Sequence, residues 1–278
     1  MDLTLRDEQR LLRESADRFV GETYTADHRR RIANEPLGFS ADTWKQFADL
    51  GWLALPIPEA HGGLGGGAIE IGILMEAFGR GLVSEPYLST VVIGASLISE
   101  CGTDAQKLAL LPKIAGGALY LAFAHSERQA RFDLADVRTT ARKTADGWRL
   151  DGKKTAVLDG TAAGQVIVSA RVDDTSGKLG LFLVPQGTRG LTARDFPRLG
   201  GGRACNFDLN NLQLPADALL GDGSSDALPA IEGAIDRAMA EAAAHRPDCD
   251  SLPPKPPPMR RHSTVMLCEC TPSACATT

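Results

Sequence analysis

The hydrophobic period of this chain changes twice, and the changes limit the architectures open to it. Up to about residue 117 apolar residues recur at helical spacing, and from about residue 118 they alternate in short runs. After Gly223 the helical spacing returns. Helices and strands segregated along the chain, rather than interleaved, predict an α+β fold. The expected parts are a helical region over 1–117, an antiparallel β domain over 118–222, and the start of a further helical domain over 223–244. A tail over 245–278 follows.

The helical region carries its own punctuation. Thr4 and Asp7 have capping-box spacing, and Leu11, Leu12, Ala16, Phe19 and Val20 then share one face. A second helix is expected over 40–50, with Ser40 as N-cap and Trp44, Phe47 and Ala48 inward. Gly51 would supply its left-handed end, and Pro56 and Pro58 bar continuation. Helical windows follow at 68–79, 90–100 and 103–115, the last opened by Thr103 and Gln106.

The alternating runs are ALYLAFAH, DVRTTARK, GWRLDGKKTAV, QVIVSARV, LGLFLVP and CNFDLNNLQL. Asp146-Gly147, Asp151-Gly152, Asp173-Asp174 and Ser176-Gly177 supply turn chemistry among them. Beyond them Leu228, Ile231, Ala234, Ile235, Ala238 and Met239 form a helical stripe. That stripe is expected to leave apolar surface exposed around Ile231, Ile235 and Met239.

Composition removes several function classes. The net charge of -5 and the lack of a basic stripe interleaved with aromatics argue against nucleic acid as a partner. No apolar run is long enough to span a bilayer, and the charged N-terminus lacks a signal-peptide core, so the cytoplasm is the expected compartment. Four of the six cysteines, Cys249, Cys268, Cys270 and Cys275, lie in the tail with a cluster of prolines. A tail of that composition is expected to be disordered. Even with His262 those cysteines form no paired zinc knuckle, so no metal site is expected.

Familiar catalytic motifs are missing. The glycines of HGGLGGG, residues 61–67, have neither the phosphate-loop nor the dinucleotide spacing and read as a connector. No G-x-S-x-G elbow occurs. A lone histidine such as His125, in the apolar run FAHSE, is more often structural than catalytic, but periodicity alone leaves its role open, and Ser126 and Glu127 either cap the turn after it or contact a cofactor.

The order of these elements and six local strings resemble the acyl-CoA dehydrogenase family, flavoproteins that introduce an α,β double bond into acyl-CoA thioesters. The strings are LRDEQRLLRESADRF, LGWLALPIPEAHGGLGG, GTDAQKLALLPKIAGG, FAHSERQARFDLADVRTTA, DGWRLDGKKTAVLDG and SARVDDTSGKLGLFLVP. The likeness covers Met1 to about Ala244 and is strongest to small subunits of two-chain enzymes of the pimeloyl-CoA dehydrogenase kind, the stretch LLGDGSSDALPAIEGAIDRAMA included. It implies a helical N-terminal domain, a β-barrel middle domain over 118–222 and a C-terminal four-helix bundle, largely missing here. It also implies FAD as cofactor, an acyl-CoA substrate and an electron-transfer flavoprotein as electron acceptor. A large-subunit homologue, or a second copy of the chain, is the implied partner.

By the same resemblance, Phe123, Ala124, His125 and Ser126 form one flavin-holding segment and Ala156, Val157 and Leu158 the second. The family's Thr-Glu-Pro is Ser126-Glu127-Arg128 here, and its Gly-Ser-Asp is Arg131-Phe132-Asp133, which puts Phe132 at the serine position that contacts CoA. Ala156 and Leu158 stand where the family has Trp and Thr, so backbone groups are left to hold the ring. No catalytic residue is assigned, because the family's base lies in the bundle. The expectation is therefore a shift of reading frame near Ala244, with the tail out of frame and this chain inactive alone. Two alternatives remain open, a structural subunit of a hetero-oligomeric dehydrogenase and a flavin monooxygenase on the same fold.

Overall fold

The computed structural model describes residues 4–173, 177–199 and 201–244. The expectations about the tail, its cysteines, its prolines and His262, and the residues 174–176 of the predicted turns lie outside the described residues.

Six helices precede the first strand: α1 (Asp7–Thr23), α2 (Ala26–Ile32), α3 (Ala41–Asp49), α4 (Ala68–Gly81), α5 (Ser96–Cys101) and α6 (Asp104–Ala115). Ser40 caps α3 by accepting from the Thr43 N–H at 3.2 Å, and Gly51 follows it with φ of 74°. Thr103 and Gln106 form the reciprocal box at the start of α6. At α1 the box is shifted from the expected one. The Gln9 amide oxygen accepts from the N–H of Arg6 at 3.0 Å, while Thr4 lies outside the helix.

The helices pack around a buried aromatic group in which Phe47 stacks on Phe78 at 4.9 Å. Trp44 donates through Nε1 to the Gly117 carbonyl at 3.1 Å, which fixes the exit from α6. Between α4 and α5 the chain winds as a π-helical stretch, Leu88–Ala95, of which Ser89 to Ala95 are all buried.

Seven strands follow: β1 (Leu121–Ala124), β2 (Thr140–Lys143), β3 (Gly147–Leu158), β4 (Gln165–Val172), β5 (Leu179–Pro185), β6 (Leu191–Pro197) and β7 (Arg203–Pro215). The sheet is mixed where an antiparallel one was expected. β1 and β2 lie end to end along one edge of β4, both parallel to it, while β5 pairs antiparallel with its other edge. The 15 residues between β1 and β2, counted from the ends of the two strands, are long enough for the crossover that parallel neighbours require. β3 then pairs with β2 and β7, and β7 with β6, all antiparallel.

Asp151-Gly152 does not make the turn expected from its chemistry. It lies inside β3, at a register shift between Leu150 and Gly152 where the strand bulges. A Cβ on Gly152 would sit 2.4 Å from Oγ1 of Thr139, so only glycine lets β3 pass there. Both faces of the sheet are covered. Ile167 and Leu181 join the helical core, and Val166, Val168, Trp148 and Phe207 form the second core.

The last helix, α7 (Leu228–Ala244), returns to the helical layer. Its stripe faces inward, contrary to the expected exposure. Ile231 and Ala234 are wholly buried and Ile235 packs against the core, because α4, α5 and the π-helical stretch cover that side. Met239 alone of the three is exposed, at 67%. No helix among the described residues is long and apolar enough to cross a membrane.

Candidate functional site

The two segments that the sequence nominates for the flavin meet at the end of β1. The carbonyl of Ser126 accepts from the N–H of Thr155 at 2.8 Å, so the end of the first segment meets the residue just before the second. The π-helical stretch sets the position of β1. Thr90 donates its hydroxyl to the Leu121 carbonyl at 3.1 Å and accepts from the Leu121 N–H at 3.0 Å.

Within the first segment Ala124 and His125 are buried, Phe123 is half-buried and Ser126 is exposed. The Phe123 and His125 rings stack at 5.4 Å. In the second, Val157 is buried, Leu158 half-buried and Ala156 exposed. Ala156 has φ of 54° and donates its N–H to the Asn206 amide oxygen at 2.9 Å. A second register shift between Lys154 and Val157 puts a bulge there, which turns the strand just where the segment is exposed.

Behind these segments lies a charged network that the sequence reading missed. Lys154, with a wholly buried side chain, donates through Nζ to Oε1 of Glu127 at 2.8 Å, to Oγ of Ser169 at 3.0 Å and to the His125 carbonyl at 3.1 Å. Glu127 also accepts from the N–H groups of Arg138 and Thr139, the Thr139 hydroxyl and the Gln129 amide. Burial alone would raise its pKa, but the Lys154 charge and these donors hold it down at about 2. Burial lowers Lys154 to about 8 despite the carboxylate beside it.

His125 belongs to this network rather than to open surface. Its Nδ1 lies 2.9 Å from Oγ of Ser169. That hydroxyl accepts from Lys154 and can give its own proton to Nδ1, an arrangement in which Nε2 carries the imidazole proton. Burial and the Lys154 charge lower the His125 pKa to about 4, so the ring is neutral near pH 7. The His125 side chain is thus a neutral strut, and Glu127, expected as a turn cap, is the counter-charge of Lys154. The signal in the sequence was the pattern of β3, whose inward positions include Trp148, Leu150 and Lys154. A lysine on an inward strand position requires a buried acid.

Phe132 stands apart from both segments, 98% exposed, one residue after Arg131 at φ of 52°. A second polar group lies beside Leu158. Asp159 is buried, and its Oδ2 accepts from Ser89 at 2.7 Å. No group of three or more His, Cys, Asp or Glu able to hold a metal ion occurs among the described residues.

The surface where the segments meet carries two exposed small residues, Ser126 and Ala156. The Ser126 hydroxyl is exposed and makes no hydrogen bond among the described residues, so it is free to donate. Beside it Ala156 offers only a methyl group, which lets a flat ring approach the backbone.

The comparisons with known proteins bear on the family and the fold. Residues 6–118 match the acyl-CoA dehydrogenase N-terminal domain and residues 122–212 the acyl-CoA dehydrogenase middle domain. The acyl-CoA dehydrogenase FadE12 of Mycobacterium tuberculosis is 31% identical over 226 residues, covering 77% of this chain and 56% of its own length. The chain thus spans a little over half of that curated relative. The ChsE4-ChsE5 complex from Mycobacterium tuberculosis superposes with a TM-score of 0.77 at 25% identity, covering 88% of this chain and 64% of that one. A glutaryl-CoA dehydrogenase from Mycobacterium smegmatis in complex with FADH2 has the same fold, with a TM-score of 0.77 at 24% identity over 87% of this chain and 62% of its own. Two matched domains in one continuous run, covering most of the described residues, decide the matter: the chain belongs to the acyl-CoA dehydrogenase family.

Proposed function

We propose that this chain carries the flavin-ring edge of a FAD-dependent acyl-CoA dehydrogenase that oxidises the α,β bond of an acyl-CoA thioester. The observation that carries the reading is the 2.8 Å bond between the Ser126 carbonyl and the Thr155 N–H, which brings the end of one nominated segment against the start of the other. When bound, FAD supplies the hydride acceptor. The chain's own residues hold and shield. Ser126 donates a hydrogen bond to the ring edge, the backbone of 123–126 and 156–158 lines it, and Leu158 excludes water on one side. Lys154 keeps the strand end in place through the His125 carbonyl.

The partner in this reading is a second, homologous chain, supported by the likeness to the ChsE4-ChsE5 complex. An electron-transfer flavoprotein as acceptor follows from the family resemblance, and the cytoplasm as compartment from the composition of the chain. A second reading, a supporting subunit of such an enzyme, is favoured by Ala156, Leu158 and the exposed Phe132.

Titrating FAD against the chain, followed by flavin fluorescence, tests the proposal. Ser126→Ala should weaken binding about fivefold, the worth of one hydrogen bond near 1 kcal/mol. Equal affinities, or no binding by the chain itself, would refute it. Adding hexanoyl-CoA to the FAD-loaded chain then separates the readings. A changed flavin spectrum supports the dehydrogenase, and an unchanged one the supporting subunit.

A further inference from the structure

A cavity of about 160 Å³ opens beside Leu158, walled by Phe78, Tyr87, Leu88 and Leu158 itself. That is the liquid volume of about five water molecules, enough for the end of a short acyl chain. Its wall is apolar except where Asp159, Glu85 and Arg198 reach it. Glu85 is occupied, since its two oxygens take the Tyr24 hydroxyl and the Ser40 N–H.

Asp159 is not. It is 6% exposed, its Oδ2 accepts from Ser89, and its Oδ1 has no hydrogen-bond partner among the described residues. The Arg198 guanidinium stops 3.9 Å from Oδ1, and its buried Nε has no hydrogen-bond partner among the described residues either. A gap of that size is too long for a direct hydrogen bond. One oxygen atom that both donates and accepts can close it, giving its proton to Oδ1 and receiving one from the guanidinium. An unmade bond at a buried carboxylate is costly, so a ligand that completes it gains relative to one that does not.

We infer that this cavity selects an acyl group ending in a hydroxyl, which bridges Asp159 and Arg198. The inference rests on the acyl-CoA reading above and adds the substrate class. A plain alkyl end leaves both groups unpaired. A terminal carboxylate satisfies Arg198 but meets the Asp159 carboxylate as a like charge.

The test measures binding of three thioesters of equal carbon number to the full 278-residue chain loaded with FAD: 6-hydroxyhexanoyl-CoA, hexanoyl-CoA and adipoyl-CoA. The hydroxyl compound should bind about tenfold more tightly than hexanoyl-CoA, the value of one added charge-assisted bond. Adipoyl-CoA should be the weakest. In Asp159→Ala the order should invert, with adipoyl-CoA the tightest. An inverted order is a result that misfolding does not produce. Equal binding of all three would mean that an ordered water already bridges the pair, and it would overturn the inference alone. Binding of none would overturn both this inference and the acyl-CoA reading.

Discussion

Removing the buried charge behind the proposed flavin segments should cost more than any surface change. Lys154→Met deletes the ammonium but keeps most of the stem, leaving Glu127 with a side chain only 4% exposed and no cation beside it. Breaking a buried pair from one side typically costs 3–5 kcal/mol. Here the low end applies, because four donors from Arg138, Thr139 and Gln129 still reach the carboxylate. A loss of about 3 kcal/mol in a chain of this size lowers the melting temperature by roughly 6–12 °C. Thermal unfolding followed by circular dichroism reads it directly. Adding Glu127→Gln should recover part of the loss, since no unpaired charge then remains, and a double-mutant cycle gives the coupling. A fall of less than about 2 °C in Lys154→Met, or strict additivity in the cycle, would refute the claim that this pair holds the strand end.

The other predictions concern the same surroundings. The folded state holds His125 at a pKa of about 4 against an ordinary 6.5, so between those values the unfolded chain binds more protons. Stability is then full above pH 6.5 and falls towards pH 4 by at most about 3 kcal/mol; His125→Asn should flatten that part of a pH–stability curve, and parallel curves would contradict the assignment. Gly152→Ala drives a methyl group into Thr139 and should cost about 1–3 kcal/mol by urea unfolding, whereas an unchanged midpoint would argue against the close crossing at the bulge. Phe132→Ser should leave stability within about 0.5 kcal/mol, as its ring packs on nothing, and should tighten acyl-CoA binding; weaker binding would place Phe132 in a different role. Met239→Glu should be equally silent in unfolding, and a large loss would mean that α7 turns its other face inward.

How much could be read in the sequence depended on whether an element carries its own signal. Ser40 and Thr103 cap their helices as expected, and the runs QVIVSARV and LGLFLVP become β4 and β5 from first residue to last. β6 was missed because LTARDFP has no alternation; four consecutive central residues are exposed. α2 was missed because seven residues with one buried side chain give too short a period. The parallel placing of β1 and β2 against β4 is set by neighbours far apart in sequence, which no local pattern encodes. The same holds for the site. The resemblance nominated 123–126 and 156–158 from local strings, but the Lys154–Glu127–Ser169 network spans three separate segments and appears only when the chain is folded. Asp151-Gly152 misled because its turn chemistry also suits a bulge.

Hydrogen exchange of the chain with and without FAD, resolved by peptide mass spectrometry, tests most directly where the ring edge lies. The account predicts slowed exchange in peptides covering 123–126 and 155–158 together, with the sheet's far strand β6 unchanged. Protection confined to other segments, with these two exchanging at the same rate whether or not FAD is bound, would contradict it.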